Sequence, residues 1–327
     1  MQALQQQPTL HTQHNKICCI EHKDDLVIAQ RPGQGEDPVL ITAQLRQRSS
    51  PALFGARSRK AAIARLGNFV GLDALCVLPL GACEIQHVPV HEVEEDQLDD
   101  HVQTAMSSGM EQRGDQIVSS SLRLGCGSSS GVMGIAADRE HIKDSLRTTI
   151  EAGFNPRFLD IEELACIRGL HQIMTLQGAP SDFVLCRYTL EHMVLALVGE
   201  GCQVRLLRKV PIDRSQDALS AFSIAASIAH QIDMMMIAAG QQSKLPANGP
   251  GVYIAIDPCL GVDAMKAVQR NRMMAGVSID ERCTEHPWST HLMREHGLSA
   301  YQAITMLGML SAPDHSGDGA GQAEPIE

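Results

Sequence analysis

The sequence has few aromatic residues and a deficit of positive charge. Phe, Trp and Tyr make up 3% of the 327 residues, and 38 acidic side chains outnumber 27 Lys and Arg, so the formal net charge is −11. Nucleic-acid binding depends on clustered cations, and single-stranded binding adds aromatic rings on which bases stack. We therefore expect no nucleic-acid partner.

The ten cysteines form no CxxC pair, so the spacing typical of zinc sites is missing. Most of them lie within apolar runs, where a thiol behaves as a small hydrophobic side chain. His286, His291 and His296 recur every five residues, which does not place them on one helical face. The prediction is reduced, buried thiols and no metal site. Metal binding and disulfide formation are the minor alternatives.

The sequence also lacks a recognisable signal peptide and any long apolar run. Residues 1–16 are rich in Gln and His and have no apolar core of the secretory type. The most apolar segment, Ala218–Gly240, is interrupted by polar side chains, so it predicts a core helix rather than a span of about 20 apolar residues. These features predict a cytoplasmic protein without direct membrane insertion, which would reach a membrane only through a partner.

The segment from residue 131 to residue 170 carries the strongest local pattern. Its apolar run Val132–Ala137 predicts a buried strand, and Asp138 stands where a helix N-cap is expected. A helix is predicted over His141–Ala152. Gly153 should end that helix, because glycine tolerates the left-handed conformation of a C-terminal cap.

Within this helix, Ile142, Leu146 and Ile150 recur at spacings of four and predict one buried stripe. Arg157–Leu159 predicts a second strand, and Asp160 is the expected cap of a second helix. Strand, helix, strand and helix in this order form a βαβα unit, the building block of an α/β domain.

The same segment resembles a known protein family. The runs D-R-E-H-I, A-G-F and P-R-F-L-D-I-E-E-L-A are similar to those of the type IV pilus assembly protein PilM. The resemblance implies an α/β protein with the two-lobed actin-like ATPase (ribonuclease H-like) fold and a small α+β insertion in the first lobe. An unrelated α/β domain that matches by chance is the alternative.

The resemblance also implies domain boundaries. Residues 17–175 and 298–311 would form the first lobe and residues 176–297 the second lobe, with a disordered leader at 1–16 and a disordered tail at 312–327.

A separate module is predicted at residues 84–124, inside the first lobe. Glu84–Val90 alternates like a half-exposed strand, His91–Met106 predicts an acidic helix, and Gln116–Leu124 alternates again. PilM-like proteins carry such an insertion. The helix carboxylates would point around its axis, which favours a solvated face over a metal site. The module is the expected place of self-association between copies of the chain.

Both lobes are predicted to begin with a hairpin and a third strand, as an actin-like fold would imply. The strands are Ile17–Ile20, Leu26–Ala29 and Pro38–Leu45 in the first lobe, and Phe183–Cys186, Met193–Val198 and Val204–Val210 in the second lobe. The remaining predicted elements are helix Arg57–Leu66, strand Asp73–Leu80, strand Gly251–Ile256, helix Ala264–Asn271, strand Gly276–Ile279 and helix Leu298–Leu310.

The first phosphate turn of the family is altered in this sequence. In the family, each hairpin turn carries an aspartate for Mg²⁺ and a glycine that lets backbone N–H groups approach phosphate. The corresponding turn here contains Glu21, His22 and Lys23 and no glycine. Charged side chains would therefore crowd or repel a triphosphate.

The second turn and the adenosine motif are altered as well. Cys186 stands at the aspartate position, and Tyr188 stands at the glycine position, where its side chain is expected to fill the phosphate space. The family's paired glycine is replaced by Asp257-Pro258, and proline lacks a backbone donor. We predict a degenerate nucleotide site whose remnant comprises Glu21, His22, Lys23, Arg187, Tyr188 and Asp257.

The resemblance implies a scaffold of a type IV pilus or related secretion assembly. Such a scaffold would bind the cytoplasmic peptide of an inner-membrane PilN-like partner in a groove of its first lobe, at the cytoplasmic face of that membrane. The altered turns predict no ATP hydrolysis, no catalytic residue and no cofactor. One alternative is an active ATPase of the same fold that uses ATP and Mg²⁺ through divergent turns. The other is an unrelated α/β enzyme that uses the inter-lobe cleft.

Overall fold

The computed structural model describes most of the predicted elements. The described residues are 17–22, 25–30, 41–46, 73–90, 93–110, 114–124, 131–178, 182–212, 220–239, 251–260, 262–270, 276–279 and 286–311. The predicted leader, the predicted tail, the helix Arg57–Leu66 and the turn residue Lys23 lie outside them.

The described strands and helices are mixed along the chain, as in an α/β protein. The strands are β1 (Ile17–His22), β2 (Asp25–Gln30), β3 (Ile41–Arg46), β4 (Asp73–Leu78), β5 (Glu84–Pro89), β6 (Ile117–Leu122), β7 (Gly131–Asp138), β8 (Asn155–Ile161), β9 (Phe183–Tyr188), β10 (His192–Gly199), β11 (Gln203–Pro211), β12 (Gly251–Ile256) and β13 (Gly276–Ser278). The helices are α1 (Leu98–Gly109), α2 (Arg139–Glu151), α3 (Glu162–Leu176), α4 (Ala221–Ala238), α5 (Val262–Arg270), α6 (Pro287–His296) and α7 (Ala300–Leu310).

Two five-stranded sheets repeat the same strand order. The first is β3-β2-β1-β4-β8 and the second is β11-β10-β9-β12-β13. In each sheet an antiparallel hairpin and third strand are followed by two strands that run parallel to the hairpin's first strand. The predicted duplication of a hairpin and third strand is therefore confirmed.

The strand β7 belongs to a third sheet, which corrects the predicted βαβα unit. It lies between β5 and β6 in a three-stranded antiparallel sheet, whereas β8 pairs with β4 in the first lobe. This sheet therefore extends the inserted module beyond its predicted end at Leu124. Both faces of β7 are buried, Val132 under α1 and Ile135 against the main core. An apolar run of this kind predicts a strand but does not specify its sheet.

The helix α2 has the predicted cap, but only two of the three side chains of its predicted buried stripe are buried. Asp138 accepts hydrogen bonds from the N–H groups of Glu140 and His141, at 2.8 and 3.1 Å. Ile142 and Leu146 are buried, but Ile150 is 46% exposed and Thr149 is buried instead. Eight residues advance a helix about 80° beyond whole turns, whereas seven residues fall short of two turns by only about 20°.

The acidic helix of the module also begins later than predicted. Glu95–Gln97 forms a short 3₁₀ turn, and α1 starts at Leu98 rather than at His91. Leu98, Val102 and Met106 line its buried side and pack on the three-stranded sheet.

The main core runs through a pair of crossing helices, α3 and α7, between the two large sheets. It joins side chains of β1, β2 and β4 with the inward residues Phe183 and Leu185 of β9. A side chain at Gly169 would overlap the backbone oxygen of Ile304, and one at Gly308 would overlap that of Ala165. The two glycines let the helices approach each other at backbone distance.

The predicted core helix is α4, which covers the outer face of the second sheet. Ile224, Ile228 and Ile232 are buried there. Phe222, at the start of the helix, is 81% exposed. Among the described residues, α4 is the helix whose length and composition alone would allow a membrane crossing.

Candidate functional site

The turn between β9 and β10 is held by the side chain of Thr189. Its hydroxyl donates to the carbonyl oxygen of His192 at 2.9 Å, and its oxygen accepts from the N–H groups of Glu191 and His192 at 3.3 and 3.2 Å. These N–H groups are the ones that a phosphate-binding turn would leave free. In this turn they are already bonded within the turn.

Arg187 and Tyr188 leave β9 on opposite faces, because successive side chains of a strand alternate. Tyr188 is buried in the second-lobe core beneath α4 and α5. This corrects the expectation that Tyr188 fills the phosphate space. Arg187 faces the first lobe instead, and its guanidinium carbon lies 4.2 Å from the ring centroid of Tyr301 on α7, a cation–π contact.

An acidic pair at the start of α3 lies beside this contact. Glu163 is 1% exposed and accepts a hydrogen bond from the N–H of Leu80 at 2.8 Å. Burial, and next the charge of Glu162, raise the pKa of Glu163 to about 7. Burial also raises the pKa of Glu162, and the positive charge of Arg187 opposes that shift. A triphosphate placed here would meet negative charge.

The short turn after β4 is held by side chains of the second lobe. Lys209 on β11 donates to the carbonyl oxygens of Gly81 and Cys83 at 2.9 and 2.8 Å. The ring of His192 packs so closely on Gly81 that a Cβ there would overlap it. Burial and the charge of Lys209 lower the pKa of His192, so its ring is neutral at physiological pH.

A second candidate site is a groove of about 190 Å³ between the module and the first-lobe sheet. One wall is β6 from Val118 to Leu122, and the other is the end of β8 from Leu159 to Ile161. Its floor includes the buried side chains Ile135 and Ile142. Val118 and Leu159 are 36% and 39% exposed, so the groove presents apolar side chains to solvent.

Both walls of this groove are strands at the edge of their sheets. Among the described strands, β8 is the last of the first-lobe sheet and β6 is the last of the module sheet. An edge strand presents unpaired backbone N–H and C=O groups, which can pair with another extended chain. Asp160 on one wall forms an ion pair with Arg168 of α3.

Comparison with known proteins identifies the fold. No family model and no curated protein matches the sequence. The solved PilM–PilN type IV pilus biogenesis complex matches at a TM-score of 0.56 with 12% identity, covering 92% of this chain and 100% of the other. The chain has the actin-like ATPase fold.

Two further solved structures match over similar lengths. The cytoplasmic domain of EpsL, an inner membrane component of the type II secretion system of Vibrio cholerae, matches at 8% identity and a TM-score of 0.44, covering 91% of this chain and 94% of the other. A Bacteroides thetaiotaomicron protein with an actin-like ATPase fold and unknown function matches at 8% identity and 0.48, covering 91% and 96%. At such low identities the likeness concerns the fold.

The structure describes the side chains of three of the six residues in the predicted nucleotide-site remnant, Arg187, Tyr188 and Asp257. Glu21 and His22 are described as backbone of β1, where His22 pairs with Asp25, and only Lys23 and Asp24 separate these partners in the sequence. Asp257 follows β12, and its N–H bonds to the carbonyl of Tyr188 at 2.8 Å. Arg187 is the described remnant residue that contacts the first lobe.

Four residues of the inter-lobe region were not identified as site residues from the sequence. They are Glu162, Glu163, Lys209 and Tyr301. The acidic pair was part of the family resemblance, so its place at the start of a helix was a usable signal. Lys209 and Tyr301 have no such signal, because their partners are a backbone turn and an arginine far away in the sequence.

Proposed function

We propose that this chain is an actin-fold scaffold of a type IV pilus or related secretion assembly, which binds the cytoplasmic peptide of an inner-membrane PilN-like protein. The peptide site is the groove between β6 and β8. Binding there would hold the chain at the cytoplasmic face of the inner membrane. The fold and its match to a PilM–PilN complex support the class of assembly.

The single observation that supports this site most is the pair of edge strands around an apolar floor. An extended peptide can pair its backbone with an edge strand while alternate side chains enter the groove. The exposed side chains of Val118 and Leu159 would then be covered.

We infer that the inter-lobe region does not hydrolyse ATP. The second phosphate turn has no glycine, its N–H groups are bonded to Thr189, and two carboxylates lie nearby. These features support a scaffold rather than an active ATPase. The scaffold would therefore bind its partner without nucleotide.

Leu159→Asp tests the groove. Covering one leucine contributes about 2 kcal/mol, so the variant should bind a labelled cytoplasmic peptide of the PilN-like protein roughly 30-fold more weakly. Fluorescence anisotropy measures the Kd. The matched control is Leu190→Asp, which places the same charge at a leucine of similar exposure in the β9–β10 turn. Equal binding by the two variants would remove the groove from the proposal.

A further inference from the structure

Besides the shared apolar core, three polar side chains of the second lobe contact the first lobe. Arg187 of β9 lies on the ring of Tyr301, His192 of β10 packs on Gly81, and Lys209 of β11 bonds two carbonyl oxygens of the turn after β4. They come from the three adjacent strands of the second lobe's hairpin and third strand. In the strand register Arg187 and Lys209 both lie opposite Val194, two residues from His192, so all three lie near the β9–β10 turn.

We propose that Arg187, His192 and Lys209 form an inter-lobe latch, which holds the two lobes in one closed arrangement without a nucleotide. In a hinged protein, a ligand in the cleft supplies the contacts that favour the closed state. In this chain the side chains supply those contacts themselves. The inference goes beyond peptide binding, because it concerns how the lobes are held relative to each other.

The turn after β4 is held from both lobes. Its N–H at Leu80 bonds to Glu163 of the first lobe, and its carbonyls at Gly81 and Cys83 bond to Lys209 of the second lobe. Hydrogen bonds with a charged donor or acceptor are stronger than neutral ones. Opening the lobes would leave both carbonyls and the ammonium group of Lys209 to find new partners.

Arg187 gives the latch its charge balance. Burial raises the pKa values of Glu162 and Glu163, and the positive charge of Arg187 offsets part of that rise. A guanidinium tethered to β9 therefore does part of what a bound cation would do for this acidic pair. Because Tyr301 belongs to α7, the same contact fixes the second lobe to the crossing helices.

The latch is tested by an inter-lobe distance measured in the full chain. The spin labels are placed at Ser145 on α2 and Ala226 on α4, which are both exposed. They are carried by unnatural amino acids, because a thiol-reactive label would also react with the exposed native thiol of Cys259. Double electron–electron resonance then gives the distance distribution without peptide. We expect one narrow distribution that is the same with and without millimolar Mg-ATP.

The double variant Arg187→Ala/Lys209→Met should broaden this distribution toward longer distances. The control Lys266→Met removes an exposed lysine of α5 and should leave it unchanged. A wild-type distribution that narrows on adding Mg-ATP would overturn the latch, and so would a double variant identical to the wild type. Since no peptide is present, either result is independent of whether the groove binds one.

Hydrogen exchange of the wild-type chain supplies a second reading if the double variant does not fold. The N–H groups of Leu80 and Cys83 lie in the turn that both lobes hold, so they should exchange as slowly as those of the core strand β4. Exchange at the rate of an exposed turn would contradict the latch.

Discussion

Gly308→Ala lowers the thermal unfolding midpoint by roughly 5 °C or more, because α3 and α7 cross at backbone distance. The added Cβ would overlap the carbonyl oxygen of Ala165 and lie 2.8 Å from the backbone nitrogen of Gly169. Backbone atoms cannot rotate away as a side chain can, so the helices must separate within the main core. Overpacking of this kind costs about 3 kcal/mol or more. Differential scanning calorimetry measures the shift.

Gly109→Ala is the matched control for this substitution. A Cβ at Gly109 would meet only the end of the flexible side chain of Gln86. Since alanine favours helix over glycine by about 1 kcal/mol, this variant should keep or slightly raise the midpoint. Similar midpoints for Gly308→Ala and the wild type would show that the crossing is looser than described.

Glu163→Gln makes the protein more stable by up to about 3 kcal/mol at pH 8, but by less than about 1 kcal/mol at pH 5. The pKa of this carboxyl rises from 4.5 to about 7 on folding. Between these values the folded state holds a proton that the unfolded state has released, so wild-type stability falls as pH rises through this window. Above pH 7 the loss is complete. Glutamine has no proton to lose, and its amide oxygen can still accept the N–H of Leu80.

Urea unfolding of the wild type and the variant at pH 5 and pH 8 measures this effect. The quantity compared is the difference in free energy of unfolding between the two proteins at each pH. Glu200→Gln, at an exposed glutamate, controls for general changes in charge and should show no such pH dependence. The same Glu163→Gln effect at both pH values would mean that the carboxyl titrates normally.

The twin hairpins could be predicted because each consists of two short apolar runs separated by a polar turn, which is a local pattern. The same holds for the cap at Asp138 and the stop at Gly153, which has a φ of 93°. The helix α6 was missed, although Pro287 at its start and Gly297 after its end are ordinary helix signals. Sheet membership of β7 could not be predicted, since an apolar strand satisfies either sheet equally.

The inter-lobe region could be predicted only in part, for a related reason. The alternation of side chains along β9 could have placed Arg187 and Tyr188 on opposite faces. The family resemblance instead placed Tyr188 at the glycine position of a phosphate turn. His291 and His296 show the same limit. Five residues apart, they were expected to diverge, yet their Nε2 atoms both lie within hydrogen-bonding distance of Thr42, at 3.2 and 2.7 Å. The two histidines come together because both contact Thr42 on a third element, the strand β3, which their spacing in the sequence does not show.

The most direct test of the scaffold proposal is a titration of the wild-type chain with the labelled cytoplasmic peptide of the PilN-like protein. The titration is done with and without millimolar Mg-ATP, and nothing else differs between the two conditions. We expect the same Kd in both conditions, because the groove between β6 and β8 would bind the peptide without nucleotide, and an uncoupled ligand leaves the affinity unchanged. Peptide binding that requires Mg-ATP, or that tightens with it, would contradict a nucleotide-independent scaffold and favour an active ATPase.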